Sequence, residues 1–230
     1  SLGLNNKKYI DNNIIKKICK YGLPTALQSC LFSVFAMFIG RIIAIYGAVP
    51  IAVQKIGSQI EAISWMTAEG FSAALTAFIG QNFGANKWER IYKGYKTTIT
   101  MSIVIGLFAS ILFIFFGEEV FSLFINEEET MRQGANYLRI LGYSQIFMCI
   151  EITTSGAFSG IGNTITPSWV GIVFTGLRIP MAILLSKTLG FGIDGVWMSI
   201  SLTSVFKGIL LGGIFIFKVI IPKKLYKLEN

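Results

Sequence analysis

Three glutamates in apolar surroundings are the residues of this sequence best suited to chemistry. Glu61, Glu69 and Glu151 each lie inside a long, mostly apolar stretch. An unpartnered carboxylate is costly in hydrocarbon, so we interpret these groups as facing a cavity or one another. A carboxylate in such a cavity can take up a proton, bind a sodium ion or pair with an organic cation. On a helix, Glu61 and Glu69 would lie about 12 Å apart along the axis and roughly 80° apart around it, on one side of a wet cleft.

Aromatic residues near the same carboxylates can stack on a bound organic cation. We expect three of them to line the cavity: Trp65, Phe71 and Phe158.

A structural interpretation stands beside the functional one. Glu61 can lie hydrated near the outer interface, and Glu69 and Glu151 can form ion pairs with the basic residues Arg178 or Lys207, which also lie in apolar stretches. In either case we expect Arg178 and Lys207 to be structural partners or snorkelling side chains.

The composition excludes several kinds of catalytic site. The sequence has no histidine, which removes Ser-His-Asp triads, histidine-ligated zinc and imidazole proton relays. Its three cysteines, Cys19, Cys30 and Cys149, form no CxxC pair and are expected to be packing residues. We therefore expect no enzyme activity, no covalent catalysis, no cofactor and no resident metal.

Long apolar windows between charged clusters predict an all-α membrane protein. Hydrophobic residues make up 53% of the 230 residues and charged residues only 14%, and the mean hydropathy is +0.64. A helix needs about 20 mostly apolar residues to cross a bilayer. Six windows of about that length or longer predict six transmembrane helices, near 24–46, 50–83, 95–116, 136–160, 167–189 and 193–221.

Charge placement predicts the orientation of these spans. In a six-span arrangement, 13 of the 20 basic residues fall on one side and a loop with five glutamates on the other. Loops rich in Lys and Arg stay in the cytoplasm, so both termini are predicted to be cytoplasmic and the protein to be a multi-pass protein of the plasma membrane. We divide the chain into a basic linker or amphipathic segment at 1–21, a six-helix lobe at 22–221 and a basic cytoplasmic tail at 222–230.

Two short motifs mark the ends of predicted spans. The second span ends in a Gly-Gln-Asn-x-Gly-Ala segment made of Gly80, Gln81, Asn82, Gly84 and Ala85. The fourth ends in a Gly-rich segment with Gly160 and Thr164, followed by Pro167. Together with Gly22-Leu23-Pro24 at the start of the first span, these segments resemble the multidrug and toxic compound extrusion (MATE) family in its seventh, eighth and tenth helices. The motif residues are expected to be structural, since they cap helices and permit close helix packing.

The resemblance implies a fold and a function. Members of that family have twelve helices in two six-helix lobes, and this sequence is similar to the carboxy-terminal lobe, helices seven to twelve. It implies a secondary antiporter that exports drugs and organic cations in exchange for protons or sodium ions by alternating access. The implied partners are an amino-terminal six-helix lobe, the lipid bilayer and organic-cation substrates. The basic loop at 87–96 is explained by topology and anionic lipid, so no nucleic acid is expected as a partner.

The sequence departs from the sodium-coupled branch of that family at two positions. Acidic residues of the seventh and tenth helices align with Phe32 and Met148. Glu151 lies about one helical turn beyond Met148. The coupling ion is therefore open, with protons favoured over sodium.

Two other functions remain as alternatives. A flippase for lipid-linked oligosaccharides, from a related superfold, would favour a more cationic cavity than three embedded glutamates provide. The other alternative is a six-helix structural or assembly subunit that transports nothing.

Overall fold

A computed structural model describes residues 12–222 as a bundle of helices with no strand in that range. Helices satisfy their own backbone hydrogen bonds, which suits a chain this apolar in a bilayer. The predicted all-α fold is confirmed. The helices are α1 (Asn12–Ala44), α2 (Ala48–Gly84), α3 (Trp88–Phe115), α4 (Gly117–Ser122), α5 (Glu128–Gly142), α6 (Gln145–Gly160), α7 (Ile165–Ile183) and α8 (Gly192–Phe215). Short π-helical segments extend α7 (Leu184–Thr188) and α8 (Ile216–Ile220).

Four of these helices are each long and apolar enough to cross a membrane. They are α1, α3, α7 with its π-helical extension and α8 with its extension. Helix α2 has 37 residues and is long enough, but polar and charged side chains interrupt its apolar run. Helices α5 and α6 have 15 and 16 residues, so neither reaches the length of a span alone.

The predicted span at 136–160 is not one continuous helix. Helix α5 ends at Gly142 and α6 begins at Gln145, with a turn at Tyr143 and Ser144 between them. The Ser144 amide bonds the Leu141 carbonyl at 2.9 Å, and the Ser144 hydroxyl donates to the same oxygen at 2.9 Å. At this turn, a hydrogen bond between residues three apart replaces the bond between residues four apart that a regular α-helix makes. Helix α5 also begins at Glu128, so part of the predicted acidic loop is helical.

The first helix begins within the segment predicted as a linker. Helix α1 starts at Asn12, ten residues before the predicted lobe boundary at Gly22. The remaining residues of the predicted linker, 1–11, and the basic tail from 223 onward lie outside the described residues.

Glycines bring the helices of the bundle close together. A Cβ atom at Gly106 of α3 would lie 2.7 Å from Ile146 Cα of α6. A Cβ atom at Gly208 of α8 would lie 2.9 Å from the backbone carbonyl carbon of Phe147, also in α6. Helix α6 therefore packs backbone to backbone against both neighbours, as small residues allow in bilayers.

Apolar clusters fill the two ends of the bundle. One cluster includes Phe121 and Trp197, and the other includes Phe158 and Phe215. The polar residues of α2, α6, α7 and α8 meet in the space between them.

Candidate functional site

A cavity of about 870 Å³ opens among α1, α2, α5, α6, α7 and α8. Glu61, Glu69 and Glu151 all line it, although they come from two helices and lie as many as 90 residues apart in sequence. Arg178 and Lys207 line it as well. The structure therefore brings all five embedded charged residues of the sequence interpretation to one space.

Glu61 is held by neutral hydrogen-bond donors. The Tyr137 hydroxyl donates to Glu61 Oε2 at 3.1 Å, and Gln145 Nε2 donates to Oε1 at 2.9 Å. Neither donor cancels the charge of the carboxylate, so Glu61 can receive a proton or a cation from the cavity without breaking an ion pair.

Two further polar side chains, Gln54 and Ser64, orient these two donors. Gln54 Nε2 donates to the Tyr137 hydroxyl at 3.2 Å, and the Ser64 hydroxyl donates to Gln145 Oε1 at 2.8 Å. The Tyr137 ring packs edge-on against Trp197, with centroids 5.2 Å apart. Gln54 Oε1 is buried without a hydrogen-bond partner in the described part of the chain.

Glu151 is paired with Lys207 across the interface of α6 and α8. Lys207 Nζ lies 2.8 Å from Glu151 Oε1, and the two side chains are 8% and 14% exposed. The pair therefore sits largely away from water, at the wall of the cavity.

Arg178 lies beside this pair and is held by hydroxyl groups. Its Nε donates to Thr203 Oγ1 at 2.9 Å, and its Nη2 donates to Ser204 Oγ at 3.0 Å. It has no carboxylate within salt-bridge distance among residues 12–222, but it interacts electrostatically with both Glu61 and Glu151. The charges thus alternate in sign from Glu61 through Arg178 and Glu151 to Lys207.

Glu69 differs from the other two glutamates. It is exposed on the cavity wall, and no hydrogen bond or ion pair joins it to another residue within 12–222. Its charge faces the open space directly.

Of the three aromatic residues expected at the cavity, the structure places one there. Trp65 lines the cavity. Phe158 is 1% exposed and packs edge-on against Phe215, with ring centroids 5.0 Å apart, in the apolar cluster at one end of the bundle. Phe71 is partly buried on α2 and is not among the lining residues.

The sequence interpretation missed the groups that hold Glu61. Tyr137 belongs to α5, and Gln145 begins α6 inside an apolar run. A glutamine in such a run is a signal of a buried polar contact, because an unpaired amide is costly there. Nothing in the sequence indicates which carboxylate it meets.

The two sequence motifs meet at one end of the bundle. A Cβ atom at Gly160 would lie 2.8 Å from Ile79 Cβ, and one at Gly80 would lie 3.5 Å from the Gly160 carbonyl oxygen. Asn82 Nδ2 donates to the Phe78 carbonyl at 2.7 Å. Gln81, Gly84 and Ala85 are exposed at the end of α2.

The second motif also fixes the start of α7 against α1. Thr164 Oγ1 donates to the Tyr21 carbonyl at 2.9 Å, and Pro167 is buried in the first turn of α7. The motif residues thus lie at helix ends and crossings, apart from the cavity.

Comparison with known proteins identifies the family. The MatE family model matches residues 24–184, more than half of the chain. The chain belongs to the MatE family. The resemblance seen in the sequence motifs is thereby confirmed.

Relatives of this MatE chain carry names that refer to drug resistance. It is 27% identical over 196 residues, 85% of its length, to the probable multidrug resistance protein NorM of Thermotoga maritima, of which it covers 42%. It is 24% identical over 201 residues, 86% of its length, to the human multidrug and toxin extrusion protein 1, of which it covers 35%. The chain thus spans less than half the length of these relatives.

Solved structures share the fold of this MatE lobe. A crystal structure of MATE in the straight conformation superimposes with a TM-score of 0.85 at 22% identity, covering 94% of this chain and 48% of the other. A MOP superfamily transporter from Pyrococcus furiosus, described as having a binding pocket of reverse polarity, superimposes with a TM-score of 0.80 at 18% identity, covering 88% of this chain and 44% of the other. The chain therefore shares the fold of about half of each of these structures.

The two positions at which the sequence departs from the sodium-coupled branch also face the cavity. Phe32 of α1 and Met148 of α6 both line it. In this MatE lobe, the cavity carboxylates are Glu61 and Glu69 of α2 and Glu151, which lies one turn beyond Met148 in α6.

Proposed function

We propose that this chain is the carboxy-terminal lobe of a secondary antiporter that exports drugs and other organic cations in exchange for protons or sodium ions. Membership of the MatE family and the names of its multidrug relatives support transport of this kind. The observation that carries the proposal is the cavity of about 870 Å³, which has three carboxylates on its wall. Its volume is that of a typical site for a drug-sized molecule.

We assign different roles to the three carboxylates. Glu61 is the candidate for the coupling ion, because its partners Tyr137 and Gln145 are neutral. Glu69 is the candidate for the first contact with a substrate cation, because it is exposed on the wall. Glu151 is the third candidate for binding the coupling ion or the substrate, and its carboxylate is paired with the ammonium group of Lys207. Trp65 supplies an aromatic face on the same wall, on which an organic cation can stack.

An amino-terminal six-helix lobe is the proposed partner. The chain spans less than half of its matched relatives, and its cavity is lined by several well-exposed side chains of α1 and α2, such as Phe32 and Met66. In this arrangement the two lobes enclose the substrate between them and alternate its access to the two sides of the membrane. The protein resides in the plasma membrane, with both ends of this chain in the cytoplasm.

Export of a fluorescent organic cation from cells tests the function. Cells that express the full-length transporter should retain less ethidium than cells without it. Glu69→Gln and Glu151→Gln should each raise ethidium retention when retention is compared at equal amounts of transporter in the membrane. Glu118→Gln is the matched control, because Glu118 is exposed in α4 and does not line the cavity. Unchanged retention in both cavity variants would rule out this assignment of the site.

A further inference from the structure

We infer that Tyr137 and Gln54 are positioning residues for the coupling ion, which is a proton, and that they reverse their hydrogen bonds when Glu61 binds it. This rests on the proposed function, in which Glu61 is the residue that binds the coupling ion. The three side chains line the cavity and form a chain of hydrogen bonds. Gln54 Nε2 donates to the Tyr137 hydroxyl at 3.2 Å, and that hydroxyl donates to Glu61 Oε2 at 3.1 Å.

The hydrogen bonds around Glu61 fit its ionised form. Oε2 accepts from the Tyr137 hydroxyl, and Oε1 accepts from Gln145 Nε2 at 2.9 Å. A protonated carboxyl group has an O–H group to donate, and an amide N–H cannot accept it. When Glu61 binds a proton, one of its two neighbours must therefore become an acceptor.

Tyr137 can make this change more easily than Gln145. A hydroxyl group both donates and accepts, and its hydrogen rotates to suit its partners. Gln145 is fixed by two further contacts, since Ser64 Oγ donates to its Oε1 at 2.8 Å and its Nε2 lies 3.5 Å from the Leu141 carbonyl oxygen. A half-turn of the Gln145 amide would disturb both contacts, whereas Tyr137 needs only to rotate its hydrogen.

Gln54 supplies the acceptor for the rotated hydrogen of Tyr137. Its Oε1 is buried and has no hydrogen-bond partner among residues 12–222. A half-turn of the Gln54 amide exchanges the positions of Nε2 and Oε1, so that Oε1 faces Tyr137. In the proton-bound state, Glu61 then donates to the Tyr137 hydroxyl, and this hydroxyl donates to Gln54 Oε1. The chain keeps both of its hydrogen bonds, and their direction is reversed.

The groups around Glu61 suit a proton better than a sodium ion. A sodium ion carries no hydrogen and needs several oxygen ligands. Gln145 presents an N–H group to Glu61 instead, and its own oxygen is engaged by Ser64. A proton needs one acceptor, which Tyr137 provides. A hydronium ion in the cavity gives the proton and becomes water, one O–H bond forms at Glu61 Oε2, and nothing is oxidised or reduced.

The other charged groups of the cavity lie outside this chain. They are Glu69 of α2, Glu151 of α6, Arg178 of α7 and Lys207 of α8, and none of the lining residues of α1 is charged. Within residues 12–222, none of these four groups forms a hydrogen bond or an ion pair with Glu61, Tyr137 or Gln54. They influence how strongly Glu61 holds the proton, while the reversal itself concerns Glu61, Tyr137 and Gln54.

Infrared difference spectra of the full-length transporter in lipid membranes test the reversal. Spectra are recorded at acidic and at alkaline pH for the wild type and for Glu61→Gln, and their subtraction leaves the changes that are linked to Glu61. The wild type should show the C=O band of a protonated carboxyl group together with a change in the C–O band of a tyrosine. Tyr137→Phe should remove the change in the tyrosine band.

A leucine at position 54 separates reversal from a fixed hydrogen bond. Gln54→Leu should abolish the change in the tyrosine band, because the hydrogen of Tyr137 then has no acceptor to which it can turn. Gln59→Leu is the matched control and should keep the change. Gln59 lies on the same helix and lines the same cavity, but forms no hydrogen bond with Tyr137 or Glu61.

Transport by the same Gln54 variant gives a second measurement. In proteoliposomes, Gln54→Leu should slow ethidium efflux driven by a proton gradient by about two- to tenfold, the effect of one lost hydrogen bond in the proton-bound state. The ethidium concentration that gives half of the maximal rate should stay the same, because Gln54 acts on the bound proton and not on the substrate.

The outcomes separate this inference from the proposed function. A tyrosine band that does not change in the wild type, or a change that persists in Gln54→Leu, overturns the inference. If Gln54→Leu is too unstable to purify, the wild-type spectrum alone decides. Efflux that a sodium gradient drives and a proton gradient does not also overturns the inference, while the proposed antiport stands. Efflux that neither gradient accelerates contradicts the inference and the proposed function together.

Discussion

The hydrogen bonds of Glu61 show how single residues set the chemistry of this cavity. Tyr137 and Gln145 orient the carboxylate from two sides, and both come from segments far from Glu61 in sequence. Donors of this kind stabilise a carboxylate in a chosen position and leave its charge available to a cation. Glu151 differs in being paired with Lys207, which is why we propose different roles for these two glutamates.

Removing the Tyr137 hydroxyl should weaken both transport and stability. In Tyr137→Phe, Glu61 Oε2 loses a donor and Gln54 Nε2 loses its acceptor, so we expect a loss of about 1–3 kcal/mol in the free energy of unfolding. Thermal melting in detergent and ethidium efflux measure the two effects. Tyr143→Phe is the control, because Tyr143 is 62% exposed and does not line the cavity. Equal melting temperatures for Tyr137→Phe and the wild type would contradict this account of Glu61.

Removing one charge of the Glu151–Lys207 pair should destabilise the protein strongly. Removing both charges should destabilise it less. Glu151→Gln leaves the buried ammonium group of Lys207 unpaired beside Arg178. We therefore expect the free energy of unfolding to fall by about 3–5 kcal/mol. The double variant Glu151→Gln with Lys207→Met leaves no unpaired charge at this position and should be more stable than Glu151→Gln alone. Melting of the two single variants and the double variant measures the coupling.

An exposed pair provides the control for this cycle. Lys93 lies 3.2 Å from Glu89 on the surface of α3, and Lys93→Met should leave the melting temperature almost unchanged. If the stability losses of the two single variants, Glu151→Gln and Lys207→Met, add up to the loss of the double variant, the two charges do not interact.

Among the helices, α3 packs closely against α6. A Cβ atom at Gly106 would lie 2.7 Å from the Cα of Ile146, and a backbone atom cannot move aside as a flexible side chain can. Gly106→Ala should therefore separate the two helices and destabilise the bundle by about 1–3 kcal/mol. Gly213→Ala is the matched control, because a Cβ atom at Gly213 would meet nothing within 4 Å. Equal melting temperatures for the two variants would contradict this description of the packing.

Much of the helical arrangement could be predicted from the sequence, because a helix that crosses the hydrocarbon of a bilayer must be long and mostly apolar. The window at 95–116, which has no charged residue after Lys96, lies within α3 except for its last residue. Pro24, placed in the first turn of a span, instead lies inside α1. A run of apolar residues marks the part of a helix that lipid can surround, but a helix can continue beyond that part. The predicted boundaries therefore differ most at the starts of α1, α3 and α5, which lie before the predicted apolar windows.

The break between α5 and α6 and the partners of Glu61 could not be predicted. Gln145 lies in an otherwise apolar window, and its hydrogen bonds join it to Glu61 and Ser64 of α2, more than 75 positions away. Pairings of this kind are fixed by the tertiary packing of the helices, which periodicity does not describe. The pairing of Glu151 with a basic residue was one of two interpretations from sequence, and the choice of Lys207 required the structure.

The whole lobe exposes much of its apolar surface, most of all on α1. Only 11% of the apolar window of α1 is buried within the lobe, and residues of α1 such as Phe32 and Met37 are more than half exposed. Lipid can cover part of this surface, but Phe32 faces the cavity, where the proposed second lobe would lie.

The lobe expressed alone should therefore be unstable. Purified residues 1–230 should aggregate or melt at a lower temperature than the full-length transporter, because the cavity wall loses its cover. Size-exclusion chromatography and thermal melting in detergent measure this, with the full-length transporter as the control. A monodisperse monomer with the full-length melting temperature would contradict the need for a second lobe.

Ion-driven efflux from proteoliposomes tests whether the cavity of this lobe couples ion movement to export. Full-length transporter is reconstituted with ethidium inside the vesicles, and a proton gradient or a sodium gradient is imposed in separate experiments. We expect one of the gradients to accelerate ethidium efflux from wild-type vesicles. Glu61→Gln should remove this acceleration, while Glu118→Gln should preserve it. Efflux that neither gradient accelerates, or acceleration that persists in Glu61→Gln, would contradict the claim that the cavity of this lobe couples ion movement to export.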